Sequence, residues 1–163
     1  MKPQDIVVLL SIGSREPGTW NAKTLAMDLV ISPAEIGYSL KRSVQCGLLS
    51  EDRRLMVRSF VDMLGHAVRF VFPASLGNQV RGVPTAWSAS PLKDEIVSSE
   101  LIVWPYALGT VRGSALSPLY PTVPEVALKN ARMHELLAMV DALRIGGARE
   151  RALAIKGLSA RLL

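Results

Sequence analysis

The stretch "LAMDLVISPAEIGYSLKRS", Leu25 to Ser43, constrains the fold more than any other part of this chain. Ser32 is a strong helix N-cap, Pro33 stands at the first helical position, and Glu35 follows three residues after Ser32 in a capping-box pattern. A helix start marked this clearly, so soon after another apolar-periodic run, forces two short helices to meet across a tight turn. Leu25, Ala26 and Leu29 share one side of the first helix, which Asn21 can cap; Ile36 and Leu40 answer on the second, with Ile31 between. Ala26 is small where the second helix crosses. Val30 occupies the turn position where glycine is common. A β-branched residue disfavours positive φ, so the sequence predicts a turn of different backbone here.

The second helix should run to about Gln45 or Cys46, with Gly47 as its C-terminal glycine. Its outward face carries short or polar groups at the start and cations toward the end: Ser32, Pro33, Ala34, Glu35, Gly37, Tyr38, Lys41 and Arg42. Such a helix fits the major groove of double-stranded DNA, reading base edges from its first half and phosphates from its flanks. The bland alternative is a helical hairpin that only packs well.

With "KRSVQCGLL" after it, this stretch resembles the winged-helix domain of MarR-type transcription regulators. The shared pattern is Leu25-Ala26, Leu29, Ile31-Ser32, Glu35-Ile36, Leu40-Lys41 and Gly47-Leu48-Leu49, within about residues 3–58. The resemblance implies a dimeric repressor or activator with the second motif helix in the major groove and a wing beside it. By position it implies DNA contacts from Ser32, Ala34, Tyr38, Lys41 and Arg42, with Arg53 and Arg54 as wing cations. The wing is only a few residues long, "LLS" and "LMV" around "EDRR". A helix should follow it, because Val57, Phe60, Val61 and Leu64 are spaced i, i+3, i+4, i+7. The rest of the chain does not match the long dimerisation helices of that family.

Before the motif, a helix over Lys2 to Ser11 should present Ile6, Leu9 and Leu10 on one face, and "GSREPG" should break it. Residues 67–122 differ in texture. They hold Pro73, Pro84, Pro91, Pro105, Pro118 and Pro121 and most of the aromatics. "AVRFVFP" and "LIVWPYA" are strand candidates, kept short or at an edge by proline. The triplet Val-Arg-Gly occurs at 80–82 and again at 111–113, too little to make an internal repeat. Trp87, Trp104 and Tyr106 read either as the core of a small module or as a partner or ligand surface, where Arg81 and Arg112 would suit an acidic group or a phosphate. Two helices close the chain. One spans about Ala131 to Ile145 with Met133, Leu136, Leu137, Val140 and Leu143 apolar; the other spans about Ala148 to Leu162 with Ala152, Ile155, Leu158 and Leu162. One apolar stripe can pack on the chain itself and the other can face a second subunit.

The expected fold is therefore mainly α (α+β): a winged helix-turn-helix over residues 1–66, then a dimerisation or partner-binding region over 67–163 with short strands and two C-terminal helices. Half of the residues are hydrophobic (49%) and 20% are charged, enough to bury a core. The formal net charge of +5 favours a polyanionic partner mildly. Residues 36–58 hold Lys41, Arg42, Arg53, Arg54 and Arg58 against Glu51 and Asp52.

No catalytic, metal or cofactor site is expected. His66 and His134 have no ligand spacing, Asp94-Glu95 reads as a solvated loop, and "RIGGARE" reads as a turn between helices. The lone Cys46 permits no internal disulfide, fits a reducing cytoplasm and reads as packing. The apolar run "IVVLLSI" is too short to span a bilayer and lacks the marks of a signal peptide, so no membrane association is expected. The function expected is a cytoplasmic, homodimeric, sequence-specific double-stranded DNA-binding repressor. The alternative is a protein-binding, antitoxin-like or adaptor component whose aromatic middle and C-terminal helices hold a partner.

Overall fold

The computed structural model describes residues 1–162. They form a mixed α/β fold of seven α-helices and a small three-stranded sheet. The helices are α1 (Pro3–Gly13), α2 (Ala22–Leu29), α3 (Pro33–Gln45), α4 (Val57–Val71), α5 (Val123–Lys129), α6 (Ala131–Ile145) and α7 (Ala148–Leu162). The strands are β1 (Gln79–Pro84), β2 (Ile102–Pro105) and β3 (Val111–Ala115).

The apolar run near the N-terminus is a helix buried all round. Every residue of α1 from Gln4 to Ile12 is buried, so it has no solvent face, and the one-sided reading through Ile6, Leu9 and Leu10 is corrected. The same holds for α6, buried without interruption from Leu136 to Leu143 rather than along one stripe. These two helices touch, and α4, α5 and α7 pack around α6 while α2 and α3 pack against α1. One continuous apolar core joins the first 66 residues to the rest, with Leu25, Leu29, Ile36, Phe60 and Leu64 in the same cluster as Trp104, Leu136 and Leu158. The stripe on α7 is Ala154, Leu158 and Leu162, not the expected one, because Ala152 is exposed. Both C-terminal helices thus cover their apolar sides within the chain.

The strand candidate "AVRFVFP" is mostly helix. α4 continues to Val71, five residues beyond the expected boundary at His66, carried by Phe60, Val61, Leu64 and Val68 on its buried side. The second candidate does contain β2. The other two strands are the segments around the Val-Arg-Gly triplets. β1 is shared between partners: Gln79 to Gly82 pair antiparallel with Ser114 to Val111 of β3, and Gly82 to Pro84 pair antiparallel with Pro105 to Val103 of β2. β2 and β3 then lie parallel, Ile102 beside Ser114, and the three strands close on themselves. Closure removes the open edges that such a small sheet would otherwise expose. Pro84 and Pro105 end their strands, where a missing N–H does least harm.

Asp141 locks this ring to α6. It is buried and accepts hydrogen bonds from Thr85 Oγ1 (2.8 Å), Trp104 Nε1 (2.6 Å) and Arg144 Nη1 (2.7 Å). Arg144 also donates to the carbonyls of Phe72 and Ser117. Burial pushes the Asp141 carboxyl above its ordinary value, against the pull of Arg144, Thr85 and Trp104. Trp104 is 1% exposed, so it belongs to the core and not to an exposed partner surface. Trp87 and Tyr106 are half-buried against the same core. Among the described residues, no helix is long and apolar enough to cross a membrane.

Candidate nucleic-acid interface

α2 and α3 start as their capping residues dictate. The Asn21 side chain accepts the Thr24 amide (3.0 Å), and Ser32 Oγ accepts the Glu35 amide (3.2 Å). Glu35 does not turn back to complete the expected capping box. Its carboxylate accepts instead from Gln4 Nε2 of α1 at 2.9 Å, tying the start of α3 to the central helix.

The turn between them corrects the expectation about Val30. Val30 adopts the left-handed conformation, φ 53° and ψ 44°. Its N–H points to Met27 O, and the N–H of Ile31 closes on Ala26 O at 3.1 Å, the paired bonds of a Schellman ending. α3 ends the same way: Gly47 has φ 72°, its N–H bonds Val44 O, and the N–H of Leu48 bonds Ser43 O. One backbone device closes both helices, once with glycine and once with valine. Burial of Leu25, Leu29 and Ile31 around the turn holds Val30 in a conformation it disfavours locally.

After α3 the chain makes a minimal hairpin. Leu49 and Leu55 form a single antiparallel bridge, Ser50 and Arg54 exchange a backbone bond, and Met56 N–H reaches Leu48 O. Arg53, at φ 64°, stands at its tip. The short-hairpin expectation agrees with this geometry.

The outward side of α3 exposes Ser32, Pro33, Ala34, Tyr38, Lys41 and Gln45. With the hairpin and the start of α2 it encloses a groove of about 660 Å³, lined by Gly37, Leu40, Lys41, Val44 and Gln45 on one wall and by Leu49, Glu51 and Arg53 on the other. Lys41 and Arg53 therefore share one concavity, with no ion pair to either among the described residues. Arg54 is exposed and paired with Asp52 at 2.9 Å. Hydrogen bonding from Ser50, with Arg54 adjacent, holds the Asp52 carboxyl below its ordinary range.

Arg42 does not join this face. It turns inward to α1 and grips Asp5 with two bonds, Nε at 2.9 Å and Nη2 at 2.7 Å. Asp5 is fully buried and also accepts the Lys2 amide at 2.7 Å. Burial alone would raise its carboxyl, but Arg42 and the Lys2 N–H outweigh it and hold Asp5 below the usual carboxylate range. The placing of Arg42 among DNA contacts is thus corrected: its fork is committed to the fold. Gln45, not among the residues named from the sequence, lies one helical turn beyond Lys41 and lines the same groove.

The residues proposed as a second surface divide. Arg81 and Arg112 come together as opposed residues of β1 and β3 and are exposed. Trp104 and, in part, Trp87 and Tyr106 are taken into the core. Cys46 is exposed at the end of α3 rather than packed inside, its thiol directed to Ser43 O. No family model, no curated protein and no solved structure matches this chain.

Proposed function

We propose that the protein is a cytoplasmic transcription regulator, a winged helix-turn-helix repressor of the MarR-like kind, that binds a specific site on double-stranded DNA. The observation that carries this reading is the concavity of α3 and the hairpin shared by Lys41 and Arg53, which hold no ion pair among the described residues, on a helix that also exposes Ser32, Ala34 and Tyr38. Side chains of that size at a helix start suit base edges, and cations on both walls suit phosphates on the two sides of a groove. The reading includes a two-fold homodimer, which matches a palindromic site and doubles the contacts. Because the apolar sides of α6 and α7 pack within the chain, this reading puts the subunit face elsewhere than on those stripes.

The test is selection of bound fragments from genomic DNA by the full chain, followed by anisotropy titration. Tyr38→Ala should lose discrimination between selected and random duplexes. Lys41→Ala should weaken both alike. Absence of binding to every duplex at low salt rejects the reading. Sedimentation of the free chain and of the complex reports the dimer.

A second reading, a protein-binding module, is favoured by the apolar floor of the same groove, formed by Ala22, Leu40, Val44 and Leu49. A stoichiometric protein partner that is lost on Val44→Asp, with no duplex bound, would support it over the first.

A further inference from the structure

The two Val-Arg-Gly triplets are set against each other by β1 and β3. Val80 lies opposite Gly113, Arg81 opposite Arg112, and Gly82 opposite Val111, a pairing with local two-fold symmetry through the arginines. The glycines have a packing reason. A Cβ on Gly82 would lie 1.9 Å from Trp104 O, and one on Gly113 would lie 2.5 Å from Leu101 O, so the β2 segment passes directly over both.

The arginines have no such reason. Directly opposed residues of an antiparallel pair share a face, with Cβ atoms about 4.5–5.5 Å apart, and like charges there are destabilising. Both are exposed, and neither holds a carboxylate among the described residues. Five arginines, Arg42 and Arg144 among them, do hold one, and what sets Arg81 and Arg112 apart from the other free ones is their direct opposition in the ladder. Among the described residues, Arg112 Nη2 donates only to the Gln79 carbonyl, at 3.3 Å. The carboxylate of Glu100, beside this ladder, is taken up by the Ser114 hydroxyl at 2.7 Å, which in turn accepts from Gln79 Nε2.

We propose that Arg81 and Arg112 form an anion site that takes a phosphate group, gripped by two guanidinium forks from adjacent strands. Guanidinium donates in pairs to phosphate oxygens, which a lysine ammonium does not. The bound group also neutralises the repulsion that the register creates, so occupancy favours the closed ring of strands. The phosphate comes from a nucleic-acid backbone or from a small phosphorylated ligand, since both present the same oxyanion. The site uses no residue of the α3 groove and stands or falls separately from the DNA reading.

Inorganic phosphate titrated into the full chain at constant ionic strength, followed on arginine Nε–H resonances, tests it. Two resonances should shift saturably, and they should be the ones missing from Arg81→Gln and Arg112→Gln. Each variant should bind roughly tenfold more weakly. Arg81→Lys and Arg112→Lys serve if a glutamine variant fails to fold; each should also weaken binding, because the fork is lost while the charge stays. A non-saturable drift shared by all exposed arginines overturns the site, as does a saturable shift unchanged in the variants. A short duplex then separates the sources. If nucleic acid supplies the phosphate, each variant lowers the slope of log K against log salt by about 0.9. An unchanged slope beside saturable inorganic phosphate assigns the site to a small phosphorylated ligand.

Discussion

Arg42 and Asp5, thirty-seven positions apart, are joined by a two-pronged ion pair that pins α3 to the buried helix α1. The pair separates two cations that look alike in sequence: Lys41 faces the groove, and its neighbour Arg42 faces the core. Arg42→Gln should therefore cost stability, about 3 kcal/mol at neutral pH, because it leaves a buried carboxylate without its cation. Lys41→Gln should leave the unfolding midpoint unchanged and alter only duplex affinity and its salt slope. Urea unfolding of both variants, set beside anisotropy titrations, checks the contrast.

The same pair fixes a pH dependence. Asp5 titrates below its ordinary 3.8, so the unfolded chain takes up its proton first as pH falls. The stabilisation is complete above that ordinary value and is lost as pH drops through the lower native one. With Arg42 gone, burial raises the variant's Asp5, so the stability gap between wild type and Arg42→Gln should begin to narrow above about pH 4 and go on narrowing below it as the wild-type pair is lost. A gap that stays constant from pH 7 to pH 3 would contradict the assignment.

Asp141 has the opposite sign. Its native carboxyl titrates above the ordinary value, so the folded state holds the proton longer and this group's contribution falls as pH rises from 3.8 through the native pKa. Removing it is nonetheless costly. Asp141→Ala strips the acceptor from Thr85, Trp104 and Arg144 at once, and should destabilise by about 3–5 kcal/mol. The Trp104 emission spectrum should shift in the folded variant, because its indole N–H loses its partner.

Val30 and Gly47 offer a paired test of the two helix endings. Val30→Asn should stabilise by about 0.5–1 kcal/mol, since asparagine tolerates positive φ, and Gly47→Val should destabilise by about 1–2 kcal/mol. If Val30→Asn instead destabilises by more than it should gain, the left-handed turn is not what the chain adopts.

Arg81→Gln, in phosphate-free buffer of low ionic strength, should raise the urea midpoint by relieving the opposed Arg112, and the gain should shrink as salt screens the pair. A midpoint that falls would mean that the Arg81 side chain packs on the ring.

Helix positions were legible in the sequence wherever caps and period agreed. Asn21, Ser32 and Gly47 mark their ends, and α6 and α7 begin and end where the apolar period and Gly146-Gly147 put them. The strands were hidden because each is short and pairs with a partner far along the chain. β1 and β3, "QVRGVP" and "VRGSA", were not named as strands, since glycine and proline weaken any local strand signal. The return to helix from about residue 123 is legible, but α5 was not separated from α6 as a helix of its own, starting as it does beside Pro121 and Pro124. On α3, the exposure of Tyr38 and Lys41 could be placed from helical spacing, whereas the inward turn of Arg42 could not. It depends on Asp5, an acid inside an apolar run, and only the pairing of α1 with α3 brings the two together. Asp141, an acid amid the apolar residues of α6, left the same kind of trace.

The encirclement of α1 has a consequence for how the chain comes off the ribosome. This helix is made before α6, which lies more than a hundred residues later and forms part of its surroundings. Until that segment emerges, the side of α1 that α6 covers has no cover from it, and an apolar rod remains partly bare. A fragment ending after α4 would carry that rod permanently. The half that ends after α4 could not be cut free in soluble form without first replacing apolar residues of α1 on the side that α6 covers.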